Sequence, residues 1–242
     1  MRYRTLLFDL DLTLFDFAAS ERLAFAECAH AAGLPTTPEV FDRYKVINGR
    51  LWAGVERGEL TPAEAGRRRF DELLDEFGAS GDTADVSSDE LGQMFQHGLG
   101  AHGELYAEAA PVLDSLLDAL APQAELGLVT NGLTTVQRAK VARLGLDRWF
   151  DPIVISDEVG LAKPDPAIFD LTFDELDRIH GTRDRRSQTV MIGDSLTSDM
   201  AGARAAGIAT CWFNPAGADR PGDVELTHEC RSLVDLIDTL SG

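Results

Sequence analysis

The chain is poor in cysteine, lysine and clustered histidine, and each scarcity removes a class of function. Cys28, Cys211 and Cys230 are odd in number, widely spaced and without a Cys-x-x-Cys pair, so neither a disulfide framework nor a zinc site is expected. His30, His97, His102, His180 and His228 form no ligand-spaced cluster. No apolar run is long enough to span a bilayer, and the N-terminus lacks the basic-then-apolar pattern of a secretory signal. A soluble cytoplasmic protein with no membrane partner is the expectation. Bases are also scarce: 22 Lys and Arg stand against 41 Asp and Glu, a formal net charge of -19. Nucleic acid, which is bound through clustered Lys and Arg, is thereby disfavoured as partner, and a small molecule is favoured. Lysine occurs only as Lys45, Lys140 and Lys163.

What is present is a buried-strand pattern that ends in acids. The run Thr5-Leu6-Leu7-Phe8 leads into Asp9-Leu10-Asp11-Leu12-Thr13. Strands buried on both faces read as continuous apolar stretches, and ligands of open parallel sheets gather outside their carboxyl ends. Four further runs read the same way: Leu126–Val129, Ile153–Ile155, Thr189–Ile192 and Ile208–Phe213. Helical segments lie between them, such as Thr134–Leu144 closed by Gly145 and Thr197–Ala206 closed by Gly207. The alternation predicts an α/β fold, a parallel sheet covered by helices on both faces. With 242 residues and 44% hydrophobic residues the chain has material for one large domain or two moderate ones.

Residues 16–105 break the alternation and read as helices only. Thr61-Pro62-Ala63-Glu64 is a capping box with proline at the first helical position, followed by Phe70, Leu73, Leu74 and Phe77 at i, i+3, i+4, i+7 before Gly78. Ala18–Ala32 and Pro38–Val55 are similarly amphipathic, and Gly78–Asp89 reads as a loop between two helices. The expected organisation is an α/β core of residues 1–15 and 106–242 with an all-helical insertion over 16–105.

Each later strand also ends in groups suited to phosphate or metal chemistry. Thr130-Asn131-Gly132 supplies a hydroxyl and amides before a helix N-terminus, where free N–H groups favour an anion. Lys163 lies before Pro164-Asp165-Pro166, which stiffens the loop and opens a helix. Gly193-Asp194 with Asp199 adds hard oxygen donors of the kind that suit Mg²⁺. Taken singly, Asp9, Asp11, Asn131 and Asp194 would equally serve as turn or helix caps. Four loaded strand ends in one chain argue for a site.

In order and spacing, Asp9-x-Asp11-x-Thr13, Thr130-Asn131-Gly132, Lys163-Pro164 and Gly193-Asp194-x4-Asp199 resemble the four motifs of the haloacid dehalogenase superfamily, and the helical insertion after the first motif resembles its type I capped members. Phe15-Asp16-Phe17, Asn48-Gly49-Arg50-Leu51-Trp52, Arg57-Gly58-Glu59-Leu60-Thr61, Ile155–Gly160 and Thr210–Pro215 resemble the bacterial pyrimidine 5′-nucleotidase branch. The resemblance implies a Rossmann-like core with a helical cap, and Mg²⁺-dependent hydrolysis of a phosphate monoester through an aspartyl-phosphate. It implies Asp9 as nucleophile, Asp11 as acid and base, and Thr130, Asn131, Gly132 and Lys163 as phosphate-binding groups. Asp9, the Asp11 main-chain carbonyl and Asp194 would bind the metal, with Asp199 acting through a metal water or by orienting Lys163. Phe17, Asn48 and Trp52 are implied as cap residues that select a nucleoside monophosphate. The expected assembly is a monomer or weak homodimer.

Three other readings stay open on the residues. A phosphatase for sugar phosphates or phosphoglycolate would share the whole core. A metal-free haloacid dehalogenase has no need of Asp11, and a phospho-acceptor module has no need of the helical insertion. Leu12 departs from the family pattern, where Gly, Asp, Asn or Glu is common, and is expected to alter the local turn or the contact with the cap.

Overall fold

The computed structural model describes residues 2–56, 59–78, 86–120, 125–182, 184–222 and 224–241. Two compact units emerge, Met1–Asp16 with Glu104–Gly242, and Phe17–Gly103.

The discontinuous unit holds a six-stranded sheet: β1 (Thr5–Phe8), β2 (Glu125–Thr130), β3 (Ile153–Ile155), β4 (Thr189–Gly193), β5 (Ala209–Phe213) and β6 (His228–Cys230). The strand order is β3-β2-β1-β4-β5-β6, and every pairing is parallel. β1, β2 and β4 are buried along their whole length, which is why they read as unbroken apolar runs. Leu7, Val129, Val154 and Met191 on one face pack against Ile168, Phe169, Phe173 and Leu176 of helix Ala167–His180. On the other face the ring of Phe8 meets Phe150 at 5.8 Å. β6 was not expected. It is a three-residue edge strand whose sequence, His-Glu-Cys, carries no apolar run.

The helical unit contains α1 (Phe17–Ala31), α2 (Pro38–Glu56), α3 (Pro62–Phe77) and α4 (Ser88–Ala101). Its core is built from Phe25, Cys28, Tyr44, Ile47, Leu51, Phe70, Leu73, Leu91 and Phe95, with the Phe25 and Tyr44 rings 4.8 Å apart. The capping box at α3 forms as predicted: Glu64 N–H donates to Thr61 Oγ1 (3.2 Å) and Thr61 N–H donates to Glu64 Oε2 (2.8 Å). The expected Gly78–Asp89 loop is too long at its end. A second capping box, Ser87 with Glu90, starts α4 inside it, because Ser and Glu in a polar stretch cap a helix as readily as they line a loop. Residues 79–85 of that stretch, and Arg57 and Gly58, lie outside the described residues.

The remaining helices belong to the sheet unit: α5 (Ala109–Leu120), α6 (Thr134–Leu144), α7 (Ser156–Val159), α8 (Ala167–His180), α9 (Ala201–Ala205) and α10 (Leu236–Ser241). Gly145 stops α6 in the left-handed conformation, φ 61°. The expected helix over Thr197–Ala206 differs in form. It opens as a π-helical turn, Leu196–Met200, before α9 begins. All three cysteines are free and buried. No helix among the described residues is long and apolar enough to cross a membrane.

Candidate active site

Strand β1 delivers Asp9 one residue past its end, where the Asp9 N–H still donates to Ile192 O of β4 at 2.9 Å. The Asp9 side chain is almost fully buried, and Thr13 Oγ1 donates to its Oδ2 at 3.3 Å. Lys163, from the loop after β3, reaches the same carboxylate. Its Nζ donates to Asp9 Oδ1 at 2.6 Å and to Val129 O at 2.7 Å, and stands 2.7 Å from Asp199 Oδ1. The loop is held by Asn131, whose Nδ2 donates to Lys163 O and whose Oδ1 accepts from Lys163 N, both at 2.9 Å.

Strand β4 ends in Gly193, Asp194 and the π-helical turn that carries Asp199. A Cβ at Gly193 would collide with the Asp199 carboxylate, so the glycine makes room for the acid. Asp199 Oδ2 accepts from Ser195 N at 3.0 Å, and Trp212 Nε1 donates to Asp194 O at 2.8 Å. The wide turn, with Ala201 N–H donating back to Leu196 O, aims Asp199 inward rather than along a surface helix face. Carboxylate oxygens of Asp9, Asp194 and Asp199 all lie within 4.8 Å of one another.

Such crowding is electrostatically costly. Burial pushes the Asp9 carboxyl up; the Lys163 ammonium opposes this and Asp199 adds to it. Asp194 is pushed up to about 6, chiefly by burial and then by Asp199. Burial alone would lower Lys163, but Asp199 and Asp9 outweigh it and raise it. Three carboxylates share one ammonium, which leaves net negative charge in a largely buried site. This hard-oxygen donor set fits a small divalent cation such as Mg²⁺.

Asp11 points elsewhere. Its Oδ1 accepts from Lys140 Nζ at 2.6 Å and its Oδ2 from Gln137 Nε2 at 3.1 Å. Both donors sit on α6 at i and i+3, one face of the helix. Lys140 is fully buried, 4.7 Å from the Phe15 ring centroid, and burial lowers its pKa against the pull of Asp11. The Gln137 amide also reaches Thr130 Oγ1 (2.7 Å) and Asn131 O (3.3 Å), tying the first two motifs together. Neither residue was singled out from sequence. The available signal was Lys140 itself, one of three lysines in an arginine-rich chain.

Asp9, Asp11, Thr130, Asn131, Lys163 and Asp199 are thus linked directly or through Gln137, and the Asp194 carboxylate lies within 4.8 Å of those of Asp9 and Asp199. The Gly132 N–H is taken by Ser156 Oγ at 3.0 Å, and α6 is capped not by its own first turn but by Asp157 Oδ2, which accepts from Thr134 N at 2.9 Å. Phe17, Asn48 and Trp52 lie in the helical unit. Phe17 starts α1, Trp52 is partly exposed on α2, and the Asn48 amide donates to Glu21 Oε1 at 3.3 Å.

Residues 3–207 match the haloacid dehalogenase-like hydrolases. The chain belongs to that family. It is similar to the pyrimidine 5′-nucleotidase PynA of Streptococcus pneumoniae, 32% identical over 99% of this chain and 96% of the relative. It is also similar to the pyrimidine 5′-nucleotidase YjjG of Escherichia coli, 32% identical over 98% and 97%. The crystal structure of the HAD-hydrolase YfnB of Bacillus subtilis, bound to magnesium, superposes with a TM-score of 0.84 at 34% identity, covering 98% of each chain. This hydrolase therefore carries the family's Rossmann-like parallel sheet.

Proposed function

We propose that this hydrolase is a Mg²⁺-dependent phosphomonoesterase that forms an aspartyl-phosphate, acting on pyrimidine nucleoside 5′-monophosphates in the cytoplasm. The observation that carries the reading is the buried Lys163 ammonium bridging Asp9 and Asp199, at 2.6 and 2.7 Å, with Asp194 alongside at the ends of neighbouring strands.

In this mechanism an Asp9 oxygen attacks phosphorus in line. The bond to the ester oxygen breaks, and Asp11 gives that oxygen a proton. Asp11 then takes a proton from water, which attacks the aspartyl-phosphate, frees inorganic phosphate and restores Asp9. Lys163 neutralises a phosphoryl oxygen, while Thr130 and the Asn131 main chain donate to the others. Mg²⁺, held by Asp9, the Asp11 main-chain carbonyl and Asp194, would supply the remaining neutralisation of the phosphate dianion. Asp199 orients Lys163. The helical unit serves as cap and selects the leaving group, with Phe17, Asn48 and Trp52 as contact residues; the PynA and YjjG likeness supports the nucleotide assignment.

The test is phosphate release from a panel of nucleotides, sugar phosphates and phosphoglycolate, with and without chelator, in the native chain and Asp9→Asn. Expected are metal-dependent release, preference for dUMP, dTMP or UMP, and no release by Asp9→Asn. Superior turnover of sugar phosphates would remove the nucleotidase assignment, and full activity in Asp9→Asn would remove the mechanism.

A further inference from the structure

Among the described residues, Leu12 is the one non-glycine residue with a left-handed backbone, φ 64°. That region crowds a Cβ against the neighbouring carbonyl, and Gly, Asn and Asp enter it with less strain than leucine. The turn around Leu12 is closely tied. Leu12 N–H donates to Phe15 O at 2.9 Å, and the N–H groups of Thr13, Leu14 and Phe15 all turn back to Leu10 O at 3.3, 2.9 and 3.0 Å.

Exposure also sets Leu12 apart from its neighbours in the turn. Leu10, Thr13, Leu14 and Phe15 are all 1% exposed or less, whereas the apolar Leu12 is 39% exposed. The residue is thus placed where neither its backbone preference nor its hydrophobicity is satisfied within its own turn. It sits beside Asp11, the group assigned to the leaving oxygen. Strain held in a functional loop points to a use for the side chain that causes it.

We propose that Leu12 is a specificity-determining residue whose side chain covers the apolar face of the leaving group, favouring a nucleoside over a hydrated open-chain polyol. The inference rests on the phosphomonoesterase reading and extends it to one residue of the catalytic loop. Contact with a ring presents the isobutyl group with apolar surface to cover; contact with glycerol strips water from hydroxyls without pairing them.

The experiment compares the native chain with Leu12→Asn and Leu12→Gly on thymidine monophosphate, ribose 5-phosphate and glycerol 3-phosphate. Both variants suit the left-handed backbone, and Leu12→Asn is expected to raise Tm by about 2–4 °C. For both variants, kcat/KM on thymidine monophosphate is expected to fall about tenfold relative to glycerol 3-phosphate, mainly through KM. A fall shared equally by all three substrates, or an unchanged ratio of thymidine monophosphate to glycerol 3-phosphate, overturns the inference. Failure of the nucleotidase reading looks different: the native chain itself then prefers the sugar phosphates, and the change of ratio in the variants still decides the role of Leu12.

Discussion

Asn131 and Lys163 are joined by a reciprocal pair of hydrogen bonds, side-chain amide to main chain, both 2.9 Å long. The amide imitates a strand neighbour and so fixes the loop from which the buried ammonium projects. Asn131→Ala leaves the Lys163 N–H and C=O without these partners and frees the loop. Since a displacement of about 1 Å can cost two orders of magnitude in rate, kcat for phosphate release is expected to fall about 10- to 100-fold with a smaller change in KM. Asn131→Asp, which keeps the acceptor but not the donor, should fall between. Wild-type kcat in Asn131→Ala would show that the loop holds itself.

In the proposed Mg²⁺ site the acidic cluster would make metal binding and pH interdependent. Asp194, raised to about 6, keeps its proton in the native chain at pH values where the unfolded chain has lost it. At this group the native state then binds more protons between the ordinary carboxylate range and pH 6, so the contribution of Asp194 to the stability of the metal-free protein falls as pH rises through that window. Mg²⁺ favours the ionised carboxylates and competes with those protons. The Tm increment on adding Mg²⁺ is therefore expected to be larger at about pH 7.5 than at about pH 5, as scanning calorimetry would measure. Equal increments would place the ion away from these carboxylates.

Lys140 and Gln137 hold Asp11 by its two oxygens, so under the proposed mechanism their loss should be felt where protonation of the leaving oxygen matters most. Lys140→Met is expected to slow hydrolysis of alkyl phosphates at least about tenfold more than hydrolysis of p-nitrophenyl phosphate, whose leaving group needs little help. Lys140→Arg, which keeps a donor, should recover part of the difference. A uniform loss across both substrate types would assign Lys140 to folding alone.

At the opposite end of the sheet, Arg185 and Glu125 form a buried pair, with Nε and Nη2 donating at 3.0 and 3.1 Å. Thr5 Oγ1 donates to the same carboxylate at 2.7 Å, and Asp177 also contacts the guanidinium. Arg185→Met would leave Glu125 buried beside β1 without its main partner. A loss of about 3–5 kcal/mol in chemical denaturation is expected, against a much smaller change in KM. A loss under about 1 kcal/mol would mean that Glu125 is taken up uncharged or by water.

Legibility from sequence followed burial. β1, β2 and β4, covered on both faces, announced themselves as apolar runs, and the polar residues just past them, Asp9, Asn131 and Asp194, stood out against those runs. β6 lies at the sheet edge with half-exposed His228 and exposed Glu229, so its three residues carry no comparable signal. Gln137 and Lys140 were hidden for another reason. A helix position reveals polarity through the face it occupies, and α6 mixes buried Val136, Gln137, Lys140 and Val141 on one side, which blurs the contrast between faces. The π-helical turn at Leu196–Met200 was invisible because its spacing differs from an α-helix by one hydrogen-bond step, below what residue patterns specify.

The neck at Leu14–Asp16 and Glu104–Tyr106 is a short ladder: Asp16 N–H donates to Glu104 O at 3.0 Å, Tyr106 N–H to Leu14 O at 2.8 Å, and Phe15 bridges Leu105 antiparallel. It clips the two ends of the insertion together within the sheet unit. The central strand β1 precedes the insertion and its partners β2 and β4 follow it, so β1 meets them only after the insertion has been made, and this clasp shortens the excursion. An insertion so fastened is modular: evolution, or an engineer, can exchange what lies between the clasped ends while the chemistry of the sheet unit stays in register.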